Sequence, residues 1–272
     1  MNTALAAVIG LTLSIVLIIR KVSPVFSLML GALVGGLLAG WGLEQTVAQM
    51  ISGVKDITPA IVRILAAGVL TGMLVKTGAA STIAHSIIRA LGEKYIYLAL
   101  ALSAMILTGM GVFIDVAVIT IAPIAIIMGN KLQLSPLKLL LAMIGGGKCG
   151  NILSPNPNTI IAAENFNAPL SSVMAAGIVP AIIGLVITVF VIIPLIPEKA
   201  KGDKVRGDEA KGEEARSNDE LPALWRSLLG PIVTILLLAL RPIAGIVIDP
   251  MIALPVGGVV GILATRKWRE TA

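Results

Sequence analysis

Two apolar runs, Leu137–Ile144 and Thr159–Ala163, flank the stretch Gly145–Asn158, which reads GGGKCGNILSPNPN. Together the flanks have the length of one membrane crossing, but neither alone spans ~30 Å of hydrocarbon. The middle is expected not to be continuous helix. Each of three successive glycines costs a helix ~1 kcal/mol. Pro155 and Pro157 remove backbone donors and push Ser154 and Asn156 out of helical geometry. At membrane depth, a break leaves N–H and C=O groups unpaired unless it is buried in protein or lines a wet cavity. Discontinuous helices of this kind build the binding sites of secondary transporters. The competing reading is an ordinary loop between two short helices.

The rest of the chain has the character of membrane protein. Of 272 residues, 57% are apolar and only 13% charged, about half the charged share of a soluble domain. The apolar residues come in long runs without barrel alternation, so the expected fold class is an all-α polytopic membrane protein. Thr3–Ile19 lacks a basic leader and a small-residue cleavage site, and is read as a retained span. One cysteine excludes an internal disulfide and a four-thiolate metal site. The net charge of +6 is scattered over loops, so it points to membrane orientation and not to nucleic acid.

In chain order, the expected spans are Thr3–Ile19, a Gly-rich span from Pro24 to Trp41, Ala60–Val75, Ala175–Ile196, Leu224–Leu240 and Met251–Thr265. Residues 44–58 and 80–92 read as separate amphipathic pieces at the interface. Residues 95–129 are too long for one crossing and are interrupted at Thr108-Gly109-Met110-Gly111, with Asp115 following. They form either two full spans or a re-entrant hairpin. Charge favours the hairpin, combined with a single broken crossing at 137–166. Arg20, Lys21, Lys76, Arg89, Lys94, Lys131 and Lys138 then share one side with the charged segment 197–222 and with Arg266, Lys267 and Arg269. Lys55, Arg63 and Arg241 stay on the other. That asymmetry places the amino terminus outside, and 197–222 and the carboxy terminus in the cytoplasm.

Several residues are candidates for chemistry. Asp115 lies in an apolar run, where a charge is costly, and so is a candidate proton-coupling or cavity-lining group; the plainer reading is a helix cap. Lys148 could pair a substrate carboxylate, or else a structural partner. Asn151, Ser154, Asn156, Asn158 and Thr159 offer donors and acceptors suited to hydroxyls. A helix starting near Asn158 would aim its positive end at an anion, and freed carbonyls leave a Na⁺ site open. Glu164 reads as interfacial, His85 as a surface residue and Cys149 as packing. No phosphate-binding loop and no Ser/His/Asp set is present, so neither ATP-driven transport nor hydrolase chemistry is indicated, and no cofactor is expected.

Three features resemble the gluconate permease family, proton symporters for gluconate and related small organic acids. They are the G-x-x-x-D-V run at Gly111–Val116, the Asn/Pro-rich break at Gly145–Asn158, and EN-FNA at 164–168. The resemblance covers most of residues 1–270. It implies an inverted-repeat ion transporter in which each repeat supplies one hairpin and one broken helix, with the substrate held between halves. Residues 1–196 would be the first repeat, 197–222 a charged cytoplasmic linker, and 223–272 the first two spans of an incomplete second repeat. The implied function is proton-coupled symport of gluconate or a related sugar or hydroxy acid across the inner membrane. Thr108, Gly109, Gly111, Lys148, Asn151, Ser154, Asn156, Asn158 and Thr159 would bind substrate, and Asp115 would carry the proton. The chain departs from the family's T-H-G-F-x-P-P-H-P pattern, with Lys148, Cys149 and Gly150, then Ser154, Asn156 and Asn158. It also looks shorter than a full member, which suggests a second chain or a homo-oligomer. A cation/proton antiporter and a transport-inactive fragment or subunit remain alternatives.

Overall fold

The computed structural model describes residues 2–197 and 221–267. The described residues form helices without strands. They divide into two compact units, Met1–Ile61 and Val62–Ala272.

The first unit holds α1 (Thr3–Ile19), α2 (Pro24–Leu38) and the start of α3 (Leu43–Lys76). Asn2 caps α1 by accepting from the Ala4 N–H at 3.0 Å. Pro24 opens α2 at a position where no backbone donor is needed. The two helices meet through Gly10, Gly31 and Gly35. A side chain at Gly10 would run into the backbone of Gly31 and Gly35. Small residues permit this approach where lipid offers no hydrophobic drive to association.

The second unit continues α3 from Val62 and adds ten helices. These are α4 (Ala79–Leu91), α5 (Ile96–Gly109), α6 (Ile114–Leu132), α7 (Pro136–Ile152), α8 (Pro157–Asn165), α9 (Leu170–Ala176), α10 (Ile178–Ile187), α11 (Ile193–Leu195), α12 (Leu224–Ala244) and α13 (Pro250–Thr265). A π-helical turn, Thr188–Ile192, joins α10 to α11. The α12–α13 pair repeats the packing of α1–α2. Gly230 and Thr234 face Gly257 and Gly261 as Gly10 and Ser14 face Gly31 and Gly35. In both pairs the second helix starts at a proline, seven residues before its first contact glycine.

Leu43–Lys76, Ile114–Leu132 and Leu170–Leu195 are each long and apolar enough to cross a membrane. Four shorter apolar helices accompany them, and α4 meets the 3₁₀–α5 helix at 106°. Large apolar side chains such as Phe26, Leu65, Ile119 and Phe190 point outward, as a lipid-facing surface requires.

Two sequence expectations are corrected here. Residues 44–58 are not a separate interfacial piece, because α3 runs unbroken for 34 residues through Pro59. The break within 137–166 is also narrower than 145–158. Helix α7 continues to Ile152, so Gly145–Gly147, Lys148 and Asn151 are helical, and only Leu153–Asn156 interrupts the run. The glycines serve packing. Any side chain at Gly146 would overlap the Ala101 carbonyl of α5, and one at Gly150 would overlap the Met105 carbonyl. Segment 197–222, apart from its first and last residues, lies outside the described residues, as do Arg269 and the Arg241 side chain.

Candidate functional site

The hairpin and the broken crossing meet at one place. α5 rises to a turn at Met110–Phe113, where Gly111 takes φ +104°, a conformation costly for any residue with a side chain. α6 then returns, and Lys131 near its end pairs with Glu93 just before α5. The base of the hairpin is thus closed by an ion pair, and the tip lies at the far end. At that tip the Thr108 hydroxyl reaches the Gly147 carbonyl of α7 at 2.9 Å and its own-turn Ala104 carbonyl at 2.8 Å. Gly109 lies against Leu153 and Gly111 near Pro155. Thr71 of α3 donates to the Gly111 carbonyl at 2.7 Å and so ties a third element to the turn.

The break satisfies its own polar groups. Asn156 caps α8 by accepting from the N–H groups of Asn158 (2.7 Å) and Thr159 (3.4 Å). Its amide nitrogen donates to Ser154 Oγ at 2.7 Å and to the Asn151 carbonyl. The Asn156 N–H reaches Thr159 Oγ1 at 3.2 Å, and that hydroxyl donates to the Ser154 carbonyl, which completes a capping box. Ser154, Asn156 and Thr159 are buried, and their side-chain groups are spent on the break. Thr108 is likewise buried and engaged. Asp115, Lys148 and Asn158 are exposed, and Asn151 is half-buried.

The ten candidate residues therefore fall into two sets. Thr108, Gly109, Gly111, Ser154, Asn156 and Thr159 form the joint between tip and break. Lys148, Asn151, Asn158 and Asp115 offer free polar chemistry beside it. Asp115 does not cap α6: Phe113 occupies the cap position without a side-chain bond, and Asp115 sits in the first turn, where the helix dipole favours a negative charge. Neither Asp115 nor Lys148 has an ion-pair partner among the described residues.

A charged cluster one to two turns beyond the break was not assembled from sequence. Arg63 of α3 holds Asp249 with Nε (3.1 and 3.2 Å to the two oxygens) and with Nη2 (2.6 Å). Its Nη1 pairs with Glu164 near the end of α8, so Glu164 is part of an ion-paired cluster and not merely interfacial. Asp249 also caps α13 through the Met251 N–H at 2.8 Å. The hydrogen bond from Arg63 holds the Asp249 carboxyl below its ordinary range against the opposing effect of burial. The cluster borders a cavity of about 190 Å³, which Ile160, Asn167 and Ser171 also line. Asp249-Pro250 was a readable cap signal, but nothing in sequence joined it to residues 186 and 85 positions earlier.

The family profile for the GntP family permease matches residues 2–260. An uncharacterized transporter of Haemophilus influenzae is 51% identical over 98% of this chain and 62% of its own length. A high-affinity gluconate transporter of Escherichia coli is 28% identical over 67% of this chain and 42% of its own length. The Gnt-II system L-idonate transporter of Escherichia coli is 25% identical over 87% and 54%, respectively. The matched part of the chain thus spans about two fifths to three fifths of the length of these relatives. No solved structure matches it. These relatives are permeases, not enzymes, and the profile covers nearly the whole chain: the protein belongs to the GntP family of permeases.

Proposed function

We propose that this chain forms the hairpin-and-broken-helix part of an inner-membrane secondary carrier that moves gluconate or a related sugar or hydroxy acid together with protons. One observation carries the reading. Lys148 stands exposed on α7, one turn before the break against which the hairpin tip docks, with no ion-pair partner among the described residues. A cation at membrane depth without a protein partner is costly, and an organic carboxylate would neutralise it. Asn151 and Asn158 supply amides for hydroxyls, and the first turn of α8 adds the positive end of a helix. Asp115 beside the tip is the proton-coupling group. Its protonation removes a charge from the loaded site before one bundle rocks against the other. The uneven distribution of Lys and Arg along the sequence supports an orientation with the amino terminus outside.

The test begins with the purified chain and a panel of sugar acids and hydroxy acids, reading the melting temperature. A ligand that binds only the folded form must raise it. Reconstituted in liposomes with an inward proton gradient, the chain is expected to accumulate the stabilising acid, and Lys148→Gln to abolish that accumulation. An absence of stabilisation by every carboxylate would sink the carrier reading.

A further inference from the structure

Arg63 is the one cation among the described residues that line the 190 Å³ cavity at the end of the broken crossing. Its two carboxylate partners are held unequally. Asp249 is gripped by Nε and Nη2 together and is fixed a second time as the cap of α13. Glu164 holds only Nη1, and it sits on the last turn of a nine-residue half-helix with its side chain 35% exposed. Any other carboxylate presents the same chemistry to a guanidinium N–H.

We propose that this cavity is a carboxylate-binding access site, in which the acid group of an incoming hydroxy acid replaces Glu164 at Arg63 Nη1. The proposal rests on the carrier reading above. The exchange leaves no buried charge unpaired: Arg63 keeps two carboxylates, and Glu164 turns into water from a position already partly solvated. Asn167 and Ser171, on the cavity wall, offer an amide and a hydroxyl to the ligand's hydroxyl groups. The same exchange unties the far end of α8 from α3 and from the start of α13. Occupancy of the access site therefore releases the half-helix that begins at the break.

The probe is potassium gluconate, with uncharged sorbitol as the control. It is titrated against the full chain carrying Lys148→Gln, so that the melting shift reports this cavity and not the break. A shift with gluconate and none with sorbitol is expected. Adding Glu164→Gln removes the internal competitor. It should lower the half-maximal gluconate concentration about twofold to fivefold, the scale of a partly exposed ion pair. Arg63→Lys, which keeps the charge and loses the fork, should weaken binding. No gluconate shift in Lys148→Gln, or the same midpoint with and without Glu164→Gln, overturns the access site. The carrier reading survives either result if the unmutated chain still shifts. It falls separately if the unmutated chain shows no shift.

Discussion

Among the described residues, Asp115 and Lys148 are the charges beside the joint between hairpin and break, and Asp115 leads to a prediction distinct from that for Lys148. Asp115→Asn keeps the size and polarity of the side chain and removes its proton exchange. Gluconate uptake driven by a proton gradient should be lost, while gluconate exchange between equal concentrations and membrane insertion persist. Equal proton-driven uptake in the variant and the unmutated chain would remove Asp115 from coupling. Gly146 gives a prediction of another kind. A methyl there meets the Ala101 carbonyl, which is backbone and cannot turn aside. Gly146→Ala should therefore push α7 off α5 and destabilise the fold by roughly 1–3 kcal/mol, the usual range for overpacking. The readout is a lowered melting temperature. Gly68→Ala, at a glycine with open space beside it, should change little.

At the scale of elements, the bond from Thr108 to Gly147 couples the hairpin tip to the broken crossing. Thr108→Val keeps the shape and removes the donor. It should cost about 1 kcal/mol, with the Gly147 carbonyl left without this partner. Thr120→Val on α6 is the contrast, because that hydroxyl bonds only its own preceding turn. Comparable losses in the two variants would show that the tip-to-break bond contributes nothing of its own. The elements themselves were legible wherever the signal is local. Thr3–Ile19 is bounded as read, the hairpin turns beside the Thr108–Gly111 interruption, and Pro155 and Pro157 mark the break. The glycine run misled because the propensity cost of Gly145–Gly147 is local, whereas the packing that uses them lies far off in sequence, at Thr188, at Ala101 of α5 and at Ile114 of α6. Residues 44–58 misled in the opposite sense: their polar face suggested a separate interfacial piece in what is one long helix. The site residues divide on similar grounds. Ser154, Asn156 and Thr159 were recognisable as polar groups at the break. That they bond one another, and so leave the side chains of Lys148, Asn151 and Asn158 uncommitted to the break, depends on the path of the backbone through four residues.

For the molecule as a whole, the Arg63 cluster links stability to pH. It joins α3, α8 and the entry to α13, segments far apart in sequence, so its loss loosens long-range structure. Asp249 is held below the ordinary carboxylate range by its bonds to Arg63. A carboxyl whose folded value lies below its unfolded one stabilises the fold fully at pH values above the unfolded value, about 4. The stabilisation fades as the pH falls through that value toward the folded one. Asp249→Asn is the informative change, because asparagine caps a helix about as well as aspartate, and what is lost is the charge and one acceptor oxygen facing Arg63. At neutral pH the variant should melt below the unmutated chain. As the pH falls from about 5 to below 4, the two curves should converge, because the unmutated chain loses what the variant never had. Carboxylates outside the Arg63 cluster shape the acid limb of both proteins alike, so the difference between the curves reports the Asp249 charge within that cluster. A gap that stays constant across that range would mean that the Arg63–Asp249 pair does not hold these segments together.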